Sequence, residues 1–395
     1  GDHSMKKSLL ALAALSAIAG AASAQSSVTI SGVIDVGLEK STATALQMAA
    51  SKMATSNLTF KGVEDLGNGW KAGFTLSHEF TGDNGDSGAN AVTSTSTTTI
   101  PTGTVINGTA TTAPITATTT TTTTTPNTAA APAGGTGFGN FGSWVGLSNA
   151  SYGSLDVGTV FTTTFKNHQT PNGTKGGSNS NAYKVLAFDA CDPGAAGTAA
   201  ATSCAHVFSR NTVQYNSPSI GGLSASLDVV FPETFVNTPN PTTTPEHGHT
   251  FGLKYVAGPV DVRTAVDRGL GKDKDLVLLS ASVDLGAVKL FANFENGQVR
   301  ASAAATKTSA YLVGLRAPIG AAGSIWAHIG TAAEASTYID TTGGATVPSN
   351  VSVLGLGYQH KLSARTSLYG NYGTYKNGDS AKDKTDVGFG VAHTF

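Results

Sequence analysis

The chain has 395 residues, of which only 12% are charged, with 24 basic side chains against 25 acidic ones. That balance supplies no basic stripe of the kind a nucleic acid needs. After the first two dozen residues, no stretch approaches the ~18 consecutive apolar residues of a membrane-spanning helix.

Residues Gly1 to Ser4 precede Met5. From Met5 come Lys6-Lys7, an apolar run from Leu9 to Ala19, and Ala22-Ser23-Ala24. A basic start, a short apolar run and a small-x-small cleavage box, in that order, predict an export signal. The run is too short to span a bilayer. Residues 1–24 are therefore expected to be removed, leaving 25–395 as a single unit. An exported chain without spanning helices is either soluble or a barrel.

From Gln25 onward, alternating segments of about ten residues are split by Gly, Pro, Asn and Asp, as in transmembrane strands. Trp70, Ala72, Phe74 and Leu76 fall on one face, and Lys71, Gly73, Thr75 and Ser77 on the other. Phe251, Leu253 and Tyr255 oppose Gly252 and Lys254. Val288, Leu290, Ala292 and Phe294 oppose Lys289, Phe291, Asn293 and Glu295. Val387, Phe389, Val391, His393 and Phe395 oppose Asp386, Gly388, Gly390, Ala392 and Thr394. Side chains alternate across a strand, so one face can meet lipid while the other meets water.

Alternation alone also fits a soluble sandwich. Connection lengths separate the two. Short turns are predicted at Glu64–Asn68, Asn149–Ser151, Pro218–Gly222, Ala257–Pro259, near Gly286, Pro318–Gly323 and Leu362–Ala364. Between them lie long polar connections at 39–53, 81–139, 161–208, 233–248, 268–275, 297–306, 333–350 and 376–383. Seven short turns alternating with eight long loops imply a sixteen-stranded, all-β antiparallel barrel with one smooth rim and one looped rim. Closure removes edge strands that lipid would not tolerate.

Two loops stand out. Residues 93–128, within the external loop 81–139, are Thr-dominated, with Thr118 to Thr125 unbroken. So little apolar surface predicts a tract without fixed structure, or else a β-rich adhesive one. The loop 161–208 carries Cys191 and Cys204. In an oxidising compartment these either pair or stay as free thiols. With the lone His206 they do not complete a metal site.

Several segments resemble the general porins of beta-proteobacteria. The stretch Gln25 to Asp35 is similar to that family's first strand, and Leu58 to Gly67 to its second strand and first turn. Trp144-Val145-Gly146-Leu147 with Tyr152-Gly153-Ser154-Leu155 resembles the fourth and fifth strands, and Asn211 to Pro218 the sixth. His393 and Phe395 resemble the C-terminal signal read by the barrel-assembly machinery. The resemblance implies an outer-membrane homotrimer in lipid, and a third loop, here 161–208, folded into the lumen. It implies passive diffusion of ions and small hydrophilic solutes, with no cofactor and no metal. It also implies a field between basic wall residues and acidic groups on that loop. The chain departs from the family where Asn57, Gln214 and Gly158-Thr159-Val160 stand in place of usual arginines. These departures bear on the family's anion preference and not on the channel itself.

Strand phase puts Lys61, Lys71, Arg210, Lys254, Arg263, Lys289 and Arg316 toward the lumen, since a charge on the lipid face costs roughly 2–4 kcal/mol at mid-bilayer. Lys61, Arg210, Lys254 and Arg263 are the expected constriction wall. Asp189 and Asp192 are the opposing carboxylates, or else exposed loop acids. Trp70, Phe80, Tyr358 and Phe395 are candidates for interfacial aromatic girdles. No Gly-x-Ser-x-Gly elbow or phosphate-binding loop is present, so catalysis is not expected. The rival functions are a substrate-selective pore and, from the Thr tract, a surface adhesin or structural protein.

Overall fold

A computed structural model describes residues 27–83 except 43 and 51, short paired pieces between 93 and 122, and residues 138–169, 207–231, 248–268, 275–298, 307–333, 351–376 and 383–395. Its strands are β1 (Ser27–Ser41), β2 (Asn57–Gly67), β3 (Trp70–Glu79), β4 (Ser143–Asn149), β5 (Gly153–Phe161), β6 (Phe208–Asn216), β7 (Leu223–Val230) and β8 (Gly248–Ala257). They continue as β9 (Val260–Arg268), β10 (Leu276–Asp284), β11 (Lys289–Gln298), β12 (Lys307–Ile319), β13 (Gly323–Ala333), β14 (Val351–Lys361), β15 (Thr366–Lys376) and β16 (Lys384–Thr394). One short helix, α1 (Thr163–Asn167), follows β5.

The sixteen strands form a closed antiparallel barrel. Each pairs with the next in sequence. The last ladder runs from Val33 opposite Thr394 to Ser41 opposite Asp386 and joins β16 to β1. The seven expected short turns and seven of the eight long connections fall between consecutive strands, within a few residues of where the sequence placed them. The first turn shows why those residues mark turns. Gly67, Asn68 and Gly69 all have positive φ (81°, 53° and 78°), a region that Gly tolerates freely and Asn more readily than other residues.

Burial is inverted relative to a soluble protein. Phe389 is 62% exposed and Val145 60%, whereas Asp35 and Gln214 are both 0% exposed. Apolar side chains cover the outer face and polar ones line much of the inside, as a strand wall between lipid and water requires. No described helix is long and apolar enough to cross a membrane.

Aromatic rings mark the short-turn rim. Trp70 stacks on Tyr152 with centroids 5.8 Å apart, and the Tyr358 hydroxyl lies 3.0 Å from His360 Nδ1. At the barrel seam, the Phe395 amide donates to the Gly32 carbonyl and the Gly32 amide to the Phe395 carbonyl, both at 3.1 Å. The Phe395 ring covers Gly32, where a Cβ would fall 2.6 Å from the ring's Cζ.

Two expectations change. The connection at 39–53 is shorter than expected: β1 continues to Ser41, and Gln47–Ala50 turns back to pair with Val36–Glu39. The Thr tract, expected to lack fixed structure, forms a two-stranded ladder of 93–100 with 115–122, separate from the barrel sheet. Threonine is β-branched and pairs well in strands even where it buries little. The leader 1–24 lies outside the described residues.

Candidate pore constriction

After β5 the chain turns into the barrel. Thr162 caps α1 by accepting from the Phe165 amide at 3.1 Å, which satisfies one of the donors a helix start leaves open. The Asp228 carboxylate on β7 satisfies another. It accepts from the Thr163 amide at 2.7 Å and from the Thr163 hydroxyl at 2.8 Å. Gln214 on β6 donates to the same carboxylate at 2.7 Å and to the Phe161 carbonyl at 2.9 Å, and its amide oxygen accepts from Lys166.

The far side of α1 is also fixed. Asn167 donates to the Thr264 carbonyl at 2.9 Å, and Arg263 donates to the Lys166 carbonyl at 2.8 Å. Gln169 reaches the Asp261 carbonyl at 3.3 Å. Phe165 and Val207 pack on an apolar inner patch of Ala310, Leu312, Ala332, Val351, Val353 and Tyr375. Thus residues 162–169 lie on the lumenal wall, tied mainly to β6, β7, β8 and β9.

Gly252 on β8 makes the approach close. A Cβ there would sit 2.3 Å from Thr163 Cγ2 and 2.6 Å from Asn167 Nδ2. Gly252→Val should therefore push α1 off the wall, at an overpacking cost of about 1–3 kcal/mol. The expected result is a noisier and larger open-channel current in single-channel records.

Burial lowers the Lys166 ammonium from the usual lysine range, opposed by the charges of Asp228 and Asp156. Burial also holds His168 down to about 3, so its ring is neutral at neutral pH and acts as a packing group. Among the described residues, no group of three or more His, Cys, Asp or Glu could hold a metal.

The structure places the expected wall residues as follows. Lys61 shares the inner face of β2 with Thr59, whose hydroxyl meets that of Ser77 at 2.5 Å, and Lys61 interacts electrostatically with Asp156. Lys254 is the register partner of Arg263. Arg263 is not a loose cation. Its guanidinium grips both oxygens of Asp261, at 2.8 and 2.6 Å, while also holding α1. A bidentate pair of this kind is strong and geometrically fixed, so Arg263 acts as a strap.

Arg210 stands at an irregularity of its strand. In the β5–β6 ladder, Gly158 faces Thr212 but Val160 faces Ser209. Arg210 and Asn211 thus share the space opposite one residue, and Asn211 has φ +49°. This bulge breaks the alternation that put Arg210 in phase with Gln214. Asp189, Asp192, Cys191 and Cys204 lie outside the described residues. His393 pairs with the Thr366 hydroxyl at 2.9 Å.

Two other lumenal cations have polar or aromatic neighbours. Arg316 donates to Gln359 at 2.5 Å and to Ser324 at 3.2 Å, and Lys289 lies 5.3 Å from the centre of the Phe291 ring. The charges also sort by height. Lys254, Lys289 and Arg316 lie toward the short turns. The buried acids Glu39, Asp267, Glu295 and Asp386 lie toward the long loops.

Phase counting missed Asp228, Thr163, Lys166, Asn167, Asp261 and Gly252 as a docking set. One signal was available: Thr162 followed by Thr163-Thr164-Phe165-Lys166-Asn167 is a capped start to a short helix.

A closed ring of strands, apolar outside and charged within, with a helix lodged on its inner wall, defines an outer-membrane channel protein. The model of the Gram-negative porin family matches residues 11–380, and the chain belongs to that family. It is 27% identical to outer membrane porin protein 32 of Delftia acidovorans, over 99% of this chain and 100% of that protein. It is 26% identical to an outer membrane porin of Bordetella pertussis, over 99% and 100%. Among solved structures it is similar to an anion-selective porin from Comamonas acidovorans, with TM-score 0.66 and 23% identity over 94% of this chain and 100% of that one. The chain is accordingly a porin of the Gram-negative outer membrane, a channel for solutes.

Proposed function

We propose that α1 and the wall facing it are the narrowest part of an open, gradient-driven passage for ions and small hydrophilic solutes. The observation that carries this is the docking of residues 162–169 on the inner face through Asp228, Gln214, Arg263 and Thr264. A body fixed by that many bonds narrows the lumen permanently, without needing a gate. Residues 25–395 work as one barrel unit, surrounded by outer-membrane lipid, inserted by the barrel-assembly machinery and assembled as a homotrimer. One similar barrel, OmpT of Vibrio cholerae, has been solved in a trimer form.

Lys61, Lys254 and Lys289 are the cations that bias passage. Among the described residues, none of the three is gripped by a carboxylate in the way Asp261 holds Arg263. A unit charge at ~4 Å is worth about 1 kcal/mol even in bulk water. Reversing one charge therefore moves the anion-to-cation permeability ratio several-fold. Lys254→Glu should shift the reversal potential across a salt gradient toward cations. A channel whose reversal potential ignores Lys61→Glu, Lys254→Glu and Lys289→Glu has its selectivity elsewhere. A silent bilayer would remove the passage altogether.

A further inference from the structure

The wall strand beside β1 does not run straight. Its upper piece, Gln47–Ala50, pairs with β1 from Glu39 down to Val36. Its lower piece, β2, resumes with Asn57 opposite Val33. Between these two ladders β1 uses only Ile34 and Asp35, whereas the partner chain uses residues 51–56. The surplus must leave the sheet, toward lipid or toward the lumen.

Side chains on β1 show the direction. Ile34 (44% exposed) and Leu38 (45%) point outward, while Asp35 (0%) and Glu39 (8%) point inward. The Met53 and Ala54 amides both donate to Asp35 Oδ2 at 2.7 Å. Tyr369 of β15 donates to the other oxygen at 2.6 Å, and the Asp35 amide donates to Ser56 at 3.0 Å. Lys52 pairs with Glu39 at 2.7 Å. Both carboxylates that hold the excursion are on the inner face, so the excursion is inside.

We propose that this inward excursion, Lys52–Ser56, is a second, fixed jaw of the constriction, positioned by Asp35 and facing α1 across the lumen. In a ring of sixteen strands, β1 stands opposite β9, the strand that α1 contacts through Thr264 and Arg263. With the strand tilt of roughly 35–45° in a barrel, Asp35 on β1 and Asp228 on β7 both come to mid-height. The passage is thus pinched between two elements on opposing walls. Neither oxygen of Asp35 is left without a donor, which makes the jaw rigid. Lys52 is neutralised by Glu39, so the jaw sets width more than sign.

This rests on the reading of α1 as the constriction, and the experiment separates the two. Ala54→Cys is made in a channel whose Cys191 and Cys204 are replaced by Ser, then exposed to a charged methanethiosulfonate reagent during single-channel recording. The expected result is a stepwise loss of current that the parent channel does not show. In parallel, Asp35→Ala frees the arm and should raise conductance roughly 1.5-fold, the order set by withdrawing one layer of chain of about 5 Å. Asp35→Asn keeps an acceptor for the two amides and should restore conductance toward the parent value. Where Asp35→Ala fails to assemble, the Ala54→Cys record decides alone. If Ala54→Cys carries undiminished current after modification, the jaw is overturned. Shortening the α1 loop then tells whether the constriction reading still stands: a rise in conductance keeps it, and no change removes both.

Discussion

Cutting out residues 163–206 and joining Thr162 to Val207 through a short linker is expected to give a channel with about twice the parent single-channel conductance or more. The join is geometrically open, because the Thr162 amide already donates to the Val207 carbonyl at 3.0 Å. The barrel ladder from β5 to β6 is left intact. What is removed includes α1, a body about 10–12 Å across with its side chains, lodged in the lumen. Conductance through a water-filled pore follows its narrowest cross-section, so loss of such a body should dominate the record. The measurement is single-channel current in planar bilayers, with heat-modified mobility confirming that the barrel has folded. Unchanged conductance in a folded barrel would mean that the chain between β5 and β6 does not limit flow. A smaller version of the same result is expected from Asp228→Ala, which strips the first turn of α1 of two acceptor contacts.

The second large effect lies on the opposite face of the wall. Phe389→Arg should destabilise the folded barrel by roughly 2–4 kcal/mol if the site is near mid-bilayer. Phe389 is 62% exposed and pairs across the ladder with Gly370 on β15, whose missing side chain it covers. The substitution puts a charge into hydrocarbon and also uncovers that glycine. Ser148→Arg introduces the same residue on the inner face of β4, where water solvates it, and should cost well under 1 kcal/mol. Urea unfolding in lipid vesicles reads both. Equal losses at the two positions would contradict the assignment of faces.

The barrel itself was legible because its signals repeat. Each short turn carries Gly, Pro or Asn, and each strand presents two faces, so a misplaced residue in one segment is outvoted by the others. The alternation of short and long connections then fixed the strand number without any long-range information. Signals that occur once were not legible. The single extra residue at Arg210–Asn211 leaves no mark in composition, yet it uncouples Arg210 from the phase of Gln214. The inward turn at Lys52–Ser56 was not marked, because its direction depends on Asp35 receiving amides from a segment 18 and 19 positions away. In the sequence, Gln214 stands out only as a position where an arginine is usual. Its role emerges from the junction it makes between Asp228, Phe161 and Lys166. The pairing of Arg263 with Asp261, two positions apart on one strand face, was within reach of the pattern, and it fixes the guanidinium against α1.

The seam between β1 and β16 sets a condition on how this chain can be made. Thr42 and Thr385, which meet there, are 343 positions apart. Until the final strand emerges from synthesis, the nascent sheet has two raw borders and no way to seal them, and each border is a template for pairing with any neighbour. Half-made copies gain nothing from entering lipid, where unpaired backbone is heavily penalised. The chain must therefore travel unfolded and shielded until it is complete, and a truncation that spares every pore residue but loses the last eleven would be as damaging as one that removes the filter.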